Sequence, residues 1–251
     1  MERYYPGAKA LLVIFTLMVL TLLSHHARAS VTMVGTRIIY NGGSNSTDIH
    51  LTNKTALPYV VTTWFDAGNM DDGPAKSANI PFVVTPPVSR VQANSGQILR
   101  LVYTGAKPLP QDRESVFYFN FLQLPPANVG ADQNGEVPAN SLTIALRNRV
   151  KLFYRPKGME GNPKEMLKHL KVSRAGNGTT IKVENDQPYH VTVTGLLLTN
   201  TRHGLPQSGE MIAPFSSKNY TFPKAKSSDM KSVRITLIND LGARISAEYP
   251  L

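Results

Sequence analysis

The strongest constraint on this chain is its punctuation. Runs of four to ten residues, apolar or alternating apolar with polar, recur along its length and are cut by Gly, Pro, Asn and Asp. Residues 31–40 read as one strand, turned by Asn41-Gly42-Gly43, and residues 47–52 alternate as a half-buried strand should. Further strands are expected over 58–65, 82–85, 97–104 and 115–124, the last strongly aromatic and ended by Pro125-Pro126. Trp64, the only tryptophan, sits at a position suited to plugging a sandwich core. A polar loop over 127–140 precedes an unusually long strand, 141–154. Arg155-Pro156-Lys157-Gly158 reads as a linker, and 159–169 as a short helix or irregular piece. Strand signals resume at 170–173, 179–184, 189–198, 217–222, 233–239 and 243–248. With about seven strands before Pro156, six or seven after it and no sustained helical period, the fold class is all-β, two consecutive β-sandwiches.

The amino terminus sets the compartment. Arg3 and Lys9, an apolar run over 10–23 and the small-x-small site Ala27-Arg28-Ala29 make a cleavable secretory signal over residues 1–29. The run is short for a spanning helix, which needs about 20 apolar residues, so no membrane insertion is expected. The leader carries three cations (Arg3, Lys9, Arg28) and one anion (Glu2), leaving the mature chain +8 of the formal +10. A basic surface attracts anionic partners, but no nucleic-acid motif is present and an exported chain meets no nucleic acid.

Catalytic chemistry finds little purchase. There is no cysteine, which removes thiol catalysis, Cys-based metal sites and disulfides. The four histidines beyond the leader (His50, His169, His190, His203) are scattered without metal-ligand spacing. No nucleophile elbow, phosphate loop or His-Glu-x-x-His occurs. The chain is therefore expected to be no enzyme, with no cofactor and no metal.

The informative segment is the long strand. Leu142, Ile144 and Leu146 fall at alternate positions and project from one face. Periodicity alone favours a face that packs the domain's own core, because most alternating strands are core strands. The surrounding motifs say more. The run Val150-Lys151-Leu152-Phe153-Tyr154-Arg155-Pro156, preceded by Leu142 to Leu146, resembles the hallmark of the periplasmic pilus-chaperone family, the PapD-like proteins. Residues 112–120 followed by Leu124-Pro125-Pro126, Thr85-Pro86-Pro87 with Arg90, and Ile238-Asn239-Asp240 with Gly242 fit three further motifs, so the resemblance spans residues 31–251.

That resemblance implies two immunoglobulin-like domains set as a boomerang around a cleft: residues 30–155 carrying the donor strand, a linker over 156–162 and a second domain over 163–251. It implies donor-strand complementation, in which Leu142, Ile144 and Leu146 fill the open groove of a pilus subunit. It assigns Arg37, on the first strand, and Lys151 to the subunit's terminal carboxylate, and Glu114, Arg155 and Asp240 to an interdomain charge network. The partners implied are pilus (fimbrial) subunits and an outer-membrane usher, in the periplasm. The uncovered apolar edge adds an expectation of self-association when no cargo is bound. The lack of cysteine fits the branch with a short loop before the donor strand, although the loop over 127–140 is long for it. The competing readings are a secreted pilus subunit or adhesin and a sugar-binding β-sandwich. The first lacks its usual disulfide and amino-terminal extension here, and the second shows no cluster of polar or aromatic groups.

Overall fold

The computed structural model describes residues 30–128, 140, 142–176, 178–199 and 204–251; the predicted leader and most of the 127–140 loop lie outside the described residues. The first half holds β1 (Val31–Met33), β2 (Arg37–Asn41), β3 (Thr47–Asn53), β4 (Tyr59–Asp66), β5 (Phe82–Thr85), β6 (Val88–Val91), β7 (Gly96–Tyr103), β8 (Ser115–Leu124) and β9 (Leu146–Arg155). They form a four-stranded sheet, β1-β3-β7-β5, facing a five-stranded sheet, β2-β9-β8-β4-β6. The second half holds β10 (Leu170–Ala175), β11 (Thr180–Asn185), β12 (Val191–Leu198), β13 (Gly204–Ile212), β14 (Ser216–Thr221), β15 (Ser232–Ile238) and β16 (Arg244–Pro250). Its sheets are β10-β11-β14 and β13-β12-β15-β16. Each sandwich closes on its own apolar core, one built around Phe65, Leu99, Phe119 and Leu152, the other around Ile181, Val193, Ile235 and Leu237.

Three expectations are corrected. Residues 31–40 are two strands: β1 pairs with β3 in one sheet, whereas β2 pairs parallel with β9 in the other. The switch occurs at Gly35, whose φ of +89° suits glycine, so Arg37 opens the second strand rather than sitting on the first. Trp64 does not plug the core. Val61 and Phe65 point inward, which turns Trp64 to the outer face; there its indole Nε1 donates to the Asp72 carbonyl at 2.9 Å and Arg147 lies over its ring. The strand expected over 141–154 begins at Leu146, and Leu142 to Ala145 join no strand among the described residues. β8 supplies the reason: its last residue paired with β9, Gln123, sits opposite Leu146, and Pro125-Pro126 follow after Leu124 without the N–H groups a ladder needs. Sequence reading also passed over β6 and β13. The irregular piece before β10 is a 3₁₀ helix, Pro163–His169, opened by Asn162, whose side chain accepts from the Lys164 N–H.

Candidate functional site

β9 has two different edges. On one side it pairs with β8 from Leu146 to Tyr154. On the other it pairs with β2 only from Lys151 to Arg155. Among the described residues, the backbone of residues 146–150 therefore has an open edge in the sheet. The side chains alternate across it: Val150, Leu152 and Tyr154 reach the core, the same face continues outward through Asn148 to Leu146, and before the strand come Ile144 and Leu142. These last three are exposed by 48%, 62% and 84%. Ile144 and Leu146 border a shallow recess with Val31, Tyr59 and Gln123, whose side-chain amide pins β1 by bonding both the N–H and the carbonyl of Val31.

The opposite face of β9 carries Arg147, Arg149, Lys151, Phe153 and Arg155. Arg37 on β2 lies directly across from Lys151 in the register. The Arg37 guanidinium stacks over the Phe153 ring at 5.8 Å, and its Nη1 donates to the Ile238 carbonyl of the second sandwich at 3.2 Å. Its Nε is buried with no hydrogen-bond partner among the described residues. Burial lowers the pKa of Arg37. Lys151 is pushed down to about 8 by burial and by the charges of Arg37 and Arg149.

Beside this pair lies a network that sequence reading missed. Asp66, fully buried at the end of β4, accepts from Arg149 Nε at 2.9 Å and Nη2 at 2.5 Å, from Asn120 at 2.8 Å and from the Gly68 N–H at 2.8 Å. Burial alone would raise its pKa, but the bonds from Arg149 and Asn120 hold it below the usual carboxylate value. Arg147 bonds the Asn120 amide oxygen and the Met70 carbonyl. The signal for it was period-two spacing on three strands, Trp64/Asp66, Tyr118/Asn120 and Arg147/Arg149, which converges only once the strands are paired.

The expected charge network is assembled at the junction of the sandwiches. Arg155 donates to Glu114 at 2.9 Å and grips Asp240 through both terminal nitrogens, at 2.7 and 2.8 Å. Burial opposes the charge of Arg155, yet Asp240 and Glu114 raise its pKa. Glu114 also accepts from the His190 backbone N–H at 2.8 Å and lies 2.9 Å from His190 Nδ1, which adds a histidine that sequence reading left unassigned. The network thus ties β9 to the residues just before β8 and β12 and to the turn after β15. Among the described residues, no cluster of His, Asp or Glu has the makings of a metal site, and no helix is long and apolar enough to cross a membrane.

Two sandwiches locked by a buried charge network, with a half-open strand edge, three bare aliphatic side chains and two cations at its inner end, define a protein built to present a strand. The chain belongs to the pili and flagellar-assembly chaperone family: the PapD N-terminal domain model matches residues 30–160 and the PapD C-terminal domain model residues 165–249. It is 39% identical over 220 residues to the chaperone protein FimB/FhaD of Bordetella pertussis, covering 86% of each chain. It is 39% identical over 231 residues to the probable fimbrial chaperone YadV of Escherichia coli, covering 89% of this chain and 90% of that one. The crystal structure of the YadV chaperone superposes with a TM-score of 0.72 at 35% identity, covering 89% of this chain and all of that one.

Proposed function

We propose that this protein is exported to the periplasm, where it captures pilus subunits by lending them the free edge of β9 and hands them to an outer-membrane usher. The observation that carries this reading is the half-open edge. A partner strand added along residues 146–150 is collinear with β2 and must stop where β2 begins, at Arg37. Backbone hydrogen bonds along the edge supply affinity, and Leu142, Ile144 and Leu146 fill the gap in the partner's core. Burying three large aliphatic side chains contributes roughly 5–9 kcal/mol before ordering costs, at about 1.5–3 each.

The cations choose the direction. A strand running parallel to β9 brings its carboxyl end to Arg37 and Lys151; an antiparallel one brings an amine or a continuing chain. Charge-assisted bonds to a carboxylate contribute about 1.5–3 kcal/mol each, and they fix the register, since a slip of one residue would turn the aliphatic side chains to the wrong face. Glu114, Arg155, Asp240 and His190 hold the two sandwiches in the relation that puts Arg37 against Ile238. Without cargo, the bare edge invites a second copy to cover it.

The test is co-expression with a pilus subunit in the periplasm. Wild type protects the subunit from proteolysis, whereas Arg37→Ala and Lys151→Ala do not. Ile144→Asp loses capture while its own thermal unfolding is unchanged, because that side chain is solvent-exposed. Normal protection by both cation variants refutes the anchoring role, and unfolding of isolated Ile144→Asp returns Ile144 to the core.

A further inference from the structure

The second sandwich reaches Arg37 at the end of β15, through the Ile238 carbonyl, and the turn that follows displays a bare leucine. Leu241 is 90% exposed. An exposed leucine is ordinary on a loose loop, but this turn is fastened from every side. The Asn239 side-chain oxygen accepts from the N–H groups of Leu241 at 3.1 Å and Ala243 at 2.9 Å. The backbone closes twice, Gly242 N–H to Asn239 O at 3.0 Å and Asn239 N–H to Ala243 O at 2.9 Å. On one side of Leu241, Asp240 is gripped by Arg155. On the other, Gly242 packs so closely on Thr36, the residue before Arg37, that a β-carbon there would collide with the Thr36 hydroxyl. Arg37 itself bonds the carbonyl of Ile238, three residues before Leu241. The leucine is thus preorganised beside the inner end of the free edge.

We propose that Leu241 reads the apolar side chain at the carboxyl end of the captured strand, making it a specificity-determining residue of this site. The inference rests on the capture reading above. The occupant is set by charge and by geometry: Arg37 and Lys151 call for a carboxylate, and collinearity with β2 places the last residues of the partner strand at this corner. An ion on Leu241's side of the corner would repel or desolvate a like partner; an aliphatic group discriminates against polar ends by leaving them without hydrogen bonds. The anchor would then fix where the strand ends, and the turn would select which ends are accepted.

The test is a competition in one periplasm between wild type and Leu241→Lys, carrying different tags, for a pilus subunit that co-purifies with wild type. It is repeated with that subunit's last apolar residue replaced by Glu. Leu241→Lys is expected to melt as wild type does, since Leu241 is 90% exposed. For the native subunit, wild type should hold about fivefold or more of the bound material, the scale of a partly buried leucine; for the Glu-ended subunit the preference should reverse. The same ratio for both subunits overturns the assignment. Arg37→Ala, run alongside, separates the two ideas. If it captures normally, the anchoring reading falls and this inference with it. If it fails to capture while the Leu241 ratio stays constant, only the role of Leu241 falls.

Discussion

Asp66 gives the sharpest handle on how the outer face of the first sandwich is held. Asp66→Ala removes an acceptor that satisfies four donors, two of them on Arg149, and Arg149 is itself only 18% exposed. Breaking one partner out of a buried pair leaves an uncompensated charge, at about 3–5 kcal/mol, and the orphaned Asn120 amide overlaps with that cost rather than adding to it. With a urea slope of about 2 kcal/mol/M for a domain of this size, the midpoint should fall by roughly 2 M. Trp64 makes the assay direct, because it is the only tryptophan and Arg147 of the same network covers its ring; its fluorescence follows unfolding of this sandwich alone. Asp66→Ala combined with Arg149→Met should recover most of the loss, since the lone buried cation goes too. The sign with pH is also set. The pKa of Asp66 is lowered by folding, so its contribution is present above the unfolded carboxylate value, about 3.9, and disappears as pH falls through the folded one; the gap between wild type and variant should narrow below about pH 4. A midpoint shift under about 0.5 M would refute the reasoning, because it would mean that Arg149 keeps its hydration or is satisfied by the Tyr118 ring alone.

Two other expectations follow from the same geometry. Folding lowers the pKa of Lys151 to about 8, and a bound carboxylate favours its charged form, so capture above that pH must be accompanied by proton uptake. Affinity for a subunit should be level below about pH 8 and then fall by at most tenfold per unit, while Lys151→Arg flattens the profile; an unchanged wild-type profile up to about pH 9.5 would remove Lys151 from the contact. Gly242→Ala meets two obstacles, a φ of +82° and the Thr36 hydroxyl, and should destabilise the protein by about 1–3 kcal/mol in calorimetry. Adding Thr36→Ala should return only the steric part, and full recovery would show that the backbone conformation costs nothing.

Much of the fold could be read from residue patterns because its causes are local. Phe117, Phe119 and Phe121 alternate with more polar neighbours in β8, and that alternation is the strand; Pro125-Pro126 end it by chemistry that needs no tertiary context. What escaped depends on pairing. Nothing around Gly35 says that the chain changes sheets there, because both β1 and β2 are apolar enough for either. The position of Trp64 suits the plug of a sandwich core, yet its parity is set by Val61 and Phe65, and a single indole cannot say which face is the core. The exposed triplet reads identically whether it fills this protein's core or another's; only the missing neighbour beyond Leu146 separates the two. Arg37 and Lys151 are 114 positions apart and become neighbours solely through the parallel register of β2 on β9. The Glu114–Arg155–Asp240 network was reachable through family likeness, whereas His190, whose sequence context carries no motif, was not.

The sheet switch at Gly35 has a consequence for measurement in the literal sense. Because β2 can cover β9 only from the point where the chain has crossed between sheets, the length of β9 left bare is a distance set by the crossing, not by β9 itself. Moving the crossing by two residues toward the amino terminus would let β2 cover residues 149–150 and shorten the exposed edge by about 7 Å, at roughly 3.3 Å per residue, while Arg37 stayed opposite Lys151. The stretch of β9 open to a further strand is thereby measured from the crossing and ends at Lys151, where Arg37 opens β2.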